Sequence, residues 1–304
     1  MRILAFLLTA LIAAAQTPRM SQPVLGYLFD AGSQSVRAVS GVPGAASADP
    51  AMALEDAFSL AFVRSNGGLA VGVGKSGRVL AARWQEGAAA VETPLDTAFG
   101  APERVAFARG ADRALLASPQ GVELISGLAG TPESMWAYAA QALGGAPVGV
   151  DLSGDGAVAA VTLDSGQIVE ASADGVRPVA TGSAARYVAG GRDLLVYSKG
   201  GLSLVTEDGV TAVADGIGDG AELAGASPDR AVLYNSRTGV VTLVDLADGR
   251  RSDISGYSPA RAQALSISGL FYFEDAERGG LLLDANASPP RVSVVPGVDV
   301  RRAQ

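Results

Sequence analysis

The chain has 304 residues, 48% of them hydrophobic and 18% charged, with 39 glycines, so it belongs with globular sequences that bury a sizeable core and not with disordered ones. Lysine and arginine number 23 against 31 aspartates and glutamates, a formal net charge of −8, and no basic run is longer than Arg250-Arg251 or Arg301-Arg302. That balance argues against nucleic acid and anionic membrane surfaces, both of which select clustered cations. Histidine and cysteine are both missing. Their absence removes Ser-His-Asp and thiol nucleophiles, His/Cys zinc sites, iron–sulfur clusters and disulfides, leaving carboxylate, Tyr or Lys chemistry and oxygen-ligated metals.

In chain order, the first element is a secretory signal over residues 1–15. Arg2 is followed by the apolar run Ile3 to Ile12 and then by the small residues Ala13-Ala14-Ala15. The run is too short for a bilayer helix, which needs about 20 residues, and Gln16 and Arg19 follow closely. Cleavage after Ala15 leaves residues 16–304 as a single domain, with an uncleaved N-terminal anchor as the alternative. The expected location is the periplasm or the exterior of the cell, with no membrane span after cleavage.

From residue 26 onward the sequence repeats. A turn followed by an apolar strand recurs at Gly77, Asp112, Asp155, Arg192, Asp229 and Gly269, as in Pro228-Asp229-Arg230 before Ala231-Val232-Leu233-Tyr234. Anchors at positions 77, 112, 155, 192, 229 and 268 are spaced 35, 43, 37, 37 and 39 residues apart. A second landmark follows each of them: Gly87, Gly121, Gly166, Gly201, Gly239 and Gly280 open the next strand, as in Gly239-Val240-Val241-Thr242-Leu243-Val244. Glycine there is a hairpin signal, because a tight turn needs positive φ. A period of about 40 residues built from strands predicts four-stranded propeller blades.

The N-terminal segment Gly26-Tyr27-Leu28-Phe29-Asp30 to Val39 copies the middle of this unit at a shift of 207, placing a seventh anchor near position 22. Residues 43–56 lengthen that first unit to 55 residues and read as a surface loop with a helical turn. The first unit has no room for an innermost strand of its own. Val298-Asp299-Val300-Arg301 resembles one and has no later blade to enter. The expected fold is therefore all-β, a seven-bladed propeller closed by pairing the C-terminal strand with the N-terminal blade, with six or eight blades as the alternatives. Such pairing would remove open sheet edges.

The Ser227-Pro228-Asp229-Arg230 turn, its relatives at Ser153-Gly154-Asp155-Gly156 and Lys75-Ser76-Gly77-Arg78, and the terminal strand exchange resemble the blade hairpins of the TolB, YncE and WD40-like propellers. The resemblance spans about residues 24 to 302 and carries no ligand signature. The Gly-His and Trp-Asp dipeptides of true WD40 repeats are not present.

Asp151-Leu152-Ser153-Gly154-Asp155-Gly156 begins like a calcium loop, but position twelve is Thr162 instead of a bidentate Glu, so a structural turn and no metal is expected. The aspartate box of sialidases does not occur. Asp30, Asp164, Glu274 and Asp275, with Lys199 and Arg237, fall in turns between the second and third strands of their blades, and form a mixed-charge rim that is the candidate binding face. Trp84 and Trp136 read as blade-packing residues. No cofactor is expected. The leading reading is a monomeric, non-catalytic binding or scaffold propeller recognising a protein or glycan through one face. The alternative is a carboxylate enzyme, a lyase or glycosidase, with two or more carboxylates meeting a Tyr or Arg in the central channel. The export reading has a direct check: N-terminal sequencing of exported material should begin near Gln16, and material beginning at Met1 would contradict it.

Overall fold

The structure, a computed structural model, describes residues 22–297 apart from 66, 86–88, 189–190, 267–268 and 276. It is a ring of seven small antiparallel sheets, a seven-bladed β-propeller with almost no helix. Blade 1 is built from Val24–Asp30, Ser35–Val42 and Ala45–Ala48, and blade 2 from Phe58–Val63, Leu69–Gly74, Val79–Arg83 and Val91–Pro94. Blade 3 follows with Arg104–Phe107, Arg113–Ser118, Gly121–Ser126 and Glu133–Ala139, and blade 4 with Pro147–Leu152, Ala159–Leu163, Gln167–Ser172 and Gly175–Thr181. Blade 5 has Ala184–Tyr187, Leu194–Ser198, Gly201–Thr206 and Gly209–Ala214, and blade 6 has Glu222–Ala226, Arg230–Asn235, Val240–Asp245 and Arg251–Ile254. Blade 7 closes the series with Pro259–Ala264, Leu270–Asp275, Gly279–Asp284 and Arg291–Val295. In blades 2 to 7 the first strand lines the centre and the fourth lies outermost.

Burial follows strand position, and the sequence explains it. Middle strands read as unbroken apolar runs, and in Ala231-Val232-Leu233-Tyr234 every residue is buried. Such a run suits a sheet covered on both faces, whereas a strand with one wet face would alternate. The outermost strand of blade 5, Gly209–Ala214, is mostly exposed. Tight hairpins join the strands: Lys199 and Gly200, with φ of 47° and 77°, link the second and third strands of blade 5 in a two-residue turn whose twist needs positive φ at both positions.

The blades pack through seven apolar clusters among the described residues, and each joins one pair of neighbours. Six of them run in chain order, as when Leu195 and Tyr197 of blade 5 meet Leu223 and Leu233 of blade 6. The remaining cluster puts Leu28 and Val39 of blade 1 against Leu265, Tyr272 and Leu282 of blade 7, closing the ring. Fully burying one such leucine contributes about 1.5–3 kcal/mol, so no interface can be left open cheaply. Polar contacts reinforce the seam. The Ala48 N–H donates to the Pro296 carbonyl at 3.0 Å, the Gln263 Nε2 to the Tyr27 carbonyl at 2.8 Å, and Arg37 Nη1 to the Gly297 carbonyl at 2.6 Å. Gly297 thus reaches blade 1. The expected strand 298–301 and the signal at 1–15 lie outside the described residues.

The structure corrects two details of the repeat. Gly77 precedes the third strand of blade 2, whereas the other anchors precede second strands. The equivalent turn lies at Gly67-Gly68 before Leu69, ten residues earlier, and this brings the first unit from 55 residues to 45. The slip has a physical cause: both turns need a positive-φ glycine, Gly67 at 75° and Gly77 at 85°, so they look alike in sequence. The supposed insert at 43–56 is accordingly part of the blade. It holds the strand Ala45–Ala48 and an extended stretch in which Asp49 and Met52 N–H groups donate to the Ala38 and Val36 carbonyls, with no helical turn.

Closure can be tested at Gly26, where a Cβ would lie 2.6 Å from the Leu265 carbonyl oxygen across the seam between blades 1 and 7. Gly26→Ala should lower unfolding free energy by about 1–3 kcal/mol in a denaturant titration, the usual cost of overpacking. An unchanged midpoint would mean that the two blades do not meet as described.

Candidate functional site

All six candidate residues stand on the disc face that carries the turns between second and third strands. They have different uses there. The Asp30 carboxylate is 2% exposed and holds its own turn, accepting from the Gly32 N–H at 3.0 Å and the Ser33 hydroxyl at 2.6 Å, and it pairs with Arg37 at 3.2 Å. Asp275 is fully buried and accepts N–H donors from Ser258, Glu277 and Arg278 at 2.6, 2.9 and 2.8 Å. Asp164 is exposed yet accepts from the Ala146 N–H at 3.2 Å.

These contacts form a device that recurs around the ring. A polar side chain at the end of the second strand fixes the chain segment leading into the first strand of the same blade, as Asp275 does for Ser258 and Asp164 for Ala146. In blade 6 the buried Asn235 Nδ2 donates to the Asp219 carbonyl at 2.9 Å. Blade 2 reverses the roles: Asp56, in the lead-in segment, accepts from the Ser76 N–H at 3.2 Å and from its hydroxyl. The remaining members of the six reach outward. Lys199 and Arg237 are exposed, Arg237 Nη2 touching the Asp219 carbonyl at 3.3 Å, and the half-buried Glu274 sits opposite Arg261 in the blade 7 register.

The Asp151–Gly156 turn lies toward the opposite face, and its two carboxylates serve different partners. Asp151 accepts from the Tyr187 N–H at 2.7 Å, and burial pushes its carboxyl up against the opposing pull of Arg186. Asp155 accepts from the Ala157 N–H at 3.0 Å and the Ser153 hydroxyl at 2.7 Å, and these bonds, with Arg192 at 3.2 Å, hold it down at about 2. Both tryptophans pack: Trp84 is 5% exposed and meets the Tyr27 ring edge-on at 5.1 Å, and Trp136 packs beside Tyr138 at 5.5 Å.

The sequence pointed to the central channel as the place for an enzyme site but named none of the residues that line it. It encloses roughly 500 Å³ between the first strands of blades 2 to 7. Glu222 accepts from the Tyr234 hydroxyl at 2.6 Å, and burial together with Glu222 pushes that hydroxyl up, so it stays protonated as the donor. Arg186 and Arg261 lie close enough to oppose this shift. The aromatic and apolar wall comes from Leu60, Phe62, Val105 and Phe107, with the Arg261 guanidinium 5.6 Å from the centre of the Phe62 ring. Alternation in the first strands was the available signal, but only a closed ring shows that residues from six blades share one space.

No family model and no curated protein matches the sequence. Solved structures do match in shape. A functionally unknown protein from Desulfotomaculum acetoxidans superposes with a TM-score of 0.64 at 10% identity, covering 90% of this chain and 95% of its own. The C-terminal WD40 domain of Sif2 follows with a TM-score of 0.55 at 13% identity, covering 90% and 86%. The chain has the fold of the WD40 propellers. A third solved structure, Chaetomium thermophilum Sqt1 bound to the N-terminus of ribosomal protein L10, gives 0.56 at 12% identity over 88% and 87%. At these identities the likeness concerns the fold alone, and no helix among the described residues of this propeller is long and apolar enough to cross a membrane.

The clamps make stability depend on acid. At Asp275 burial acts to raise the carboxyl, but the three N–H donors outweigh it and the net shift is downward, as it is for Asp155. A depressed carboxyl contributes stability that is present above the ordinary carboxylate range and is lost as pH falls through the folded value. The melting temperature should therefore fall between about pH 4 and about pH 2. Asp155→Asn and Asp275→Asn together should flatten that fall, and a variant with the parent's pH dependence would rule out these two carboxylates as its source.

Proposed function

We propose that this chain is an exported, non-catalytic binding propeller that recognises a protein or glycan through the face carrying the turns between second and third strands. The observation that carries the reading is the division of labour on that face. Clamps at the ends of second strands, Asp164 among them, fix the lead-in segments, while the side chains of Asp164, Lys199 and Arg237 stand exposed on three successive blades. A rigid scaffold presenting exposed polar side chains on short turns is suited to recognition at low ordering cost. Propellers of the same shape supply the analogy, since Sqt1 is bound to the N-terminus of another protein, ribosomal protein L10. Export rests on the N-terminal residues, and the absence of cysteine is compatible with it.

The enzyme reading has a specific place in the structure, the Glu222–Tyr234 pair beside Arg186 and Arg261. Binding is preferred because the second carboxylate of the channel wall, Glu103, stands 61% exposed and pairs with Arg104 at 3.8 Å. Paired acid and base chemistry needs two carboxylates in defined separation about one bond.

The test is capture from an envelope extract with the mature chain, comparing the parent with the rim variant Lys199→Glu/Arg237→Glu and with Val210→Glu on the outer edge of blade 5. Loss of one specific protein or glycan with the rim variant alone is expected. Equal loss with Val210→Glu, or retention by the rim variant, would move the binding surface elsewhere.

A further inference from the structure

The central channel gathers arginines in a chain that is acidic overall. Arg186 of blade 5 and Arg261 of blade 7 line its wall, and Arg104 of blade 3 stands at the mouth. Arg64 and Arg109 follow the first strands of blades 2 and 3 and cross the far end, Arg64 Nη2 reaching the Arg109 carbonyl at 3.3 Å and Arg109 Nη2 the Ala226 carbonyl at 3.1 Å. Among the described residues only Arg104 of these five has a carboxylate within 4.0 Å. Arg186 donates to the Val150 and Ala185 carbonyls at 2.9 and 3.0 Å, and Arg261 rests on the Phe62 ring. Arg64 Nε is buried with no hydrogen-bond partner among the described residues. Of the nearby acids, Glu222 accepts from Tyr234, Asp151 accepts from the Tyr187 N–H while feeling the pull of Arg186 and Arg109, and Glu274 stands across the register from Arg261 without an ion pair.

A guanidinium cannot shed its charge, so it cannot relieve mutual repulsion by losing a proton as a buried lysine can. Cations converging in a confined space with low-dielectric walls focus a positive potential there, even on an acidic molecule. Carbonyl acceptors satisfy some donors without cancelling charge, and Asp151 beside Arg186, with Glu103 at Arg104, offsets the five guanidiniums only in part. An oxyanion would compensate it through charge-assisted hydrogen bonds.

We propose that the channel is a binding site for a small organic molecule bearing an oxyanion, either carboxylate or phosphate, held by Arg186 and Arg261 with Arg104 at the mouth. It enters from the face that carries the second-to-third strand turns, because the other end is crossed by Arg64 and Arg109. The volume of roughly 500 Å³ is that of a site for a metabolite-sized ligand. Leu60, Phe62, Val105 and Phe107 face the rest of such a molecule with apolar surface. This site is independent of the partner on the rim, and either can fail without the other.

The test uses the mature chain at low salt, titrated by calorimetry and followed by thermal shift, with inorganic phosphate, hexanoate and, as a cation with the same apolar body, hexylamine. At least one anion should bind saturably, raise the melting temperature and lose affinity as salt is added, while hexylamine does neither. Binding of phosphate alone or of hexanoate alone separates the two head groups, and each supports the site. Arg261→Gln should weaken the anion about tenfold, the loss of one charge-assisted bond, Arg261→Lys should restore part of it, and Arg250→Gln, an exposed arginine before the outermost strand of blade 6, should leave it unchanged. Should Arg261→Gln fail to fold, Arg104→Gln at the exposed mouth takes its place under the same criteria. No saturable binding of either anion, or binding that the Arg261 and Arg104 variants leave untouched, would overturn the proposal.

Discussion

A small twisted sheet whose middle strands are apolar on both faces has no stable existence alone, because each face must be covered by another sheet of the same kind. Every blade here meets that condition: Leu116 and Ile125 of blade 3 pack back on blade 2, while Leu115 and Leu124, one residue along the same strands, pack forward on blade 4. Neighbouring residues thus serve opposite interfaces, as strand geometry requires. A row of such sheets would leave its two terminal faces wet. Only closure covers both, and the packing of Leu28 and Val39 against Tyr272 and Leu282 accomplishes it.

The remaining features follow from closure. A ring of sheets encloses a centre, so the first strands of six blades become the walls of one channel and bring together arginines far apart in sequence. It also fixes two faces. On one of them, polar residues at the ends of second strands fasten the segments that lead into first strands, and so hold each blade's inner strand at its place in the ring. At the closing seam, Asp30 pairs with Arg37, and Arg37 holds the Gly297 carbonyl, the same arrangement applied to the segment arriving from blade 7.

The sevenfold repeat was legible because hairpin glycines and apolar middle strands mark every blade, as at Gly239-Val240-Val241-Thr242. Its register slipped at Gly77 because two successive hairpins of blade 2 carry the same turn chemistry, and sequence has no means of telling the second strand from the third when both are buried. The face bearing Asp30, Asp164 and Asp275 was also legible, being set by strand order. Their roles as clamps were not, since these depend on where the lead-in segments at Ala146 and Ser258 cross that face. Least legible was the channel. Arg186 and Arg261 stand 75 residues apart in the chain, and only ring geometry makes them neighbours of one Tyr234–Glu222 pair.

The central claim, that blades 1 and 7 form an interface equivalent to the other six, is tested most directly by native-state hydrogen exchange on the mature chain. If the ring is closed as described, amides of Leu28, Val39, Tyr272 and Leu282 exchange only through global unfolding, with the same free energy as those of Leu115 and Leu233 in interior blades. Exchange of the seam residues through a separate opening of markedly lower free energy, while blades 2 to 6 stay protected, would contradict the account.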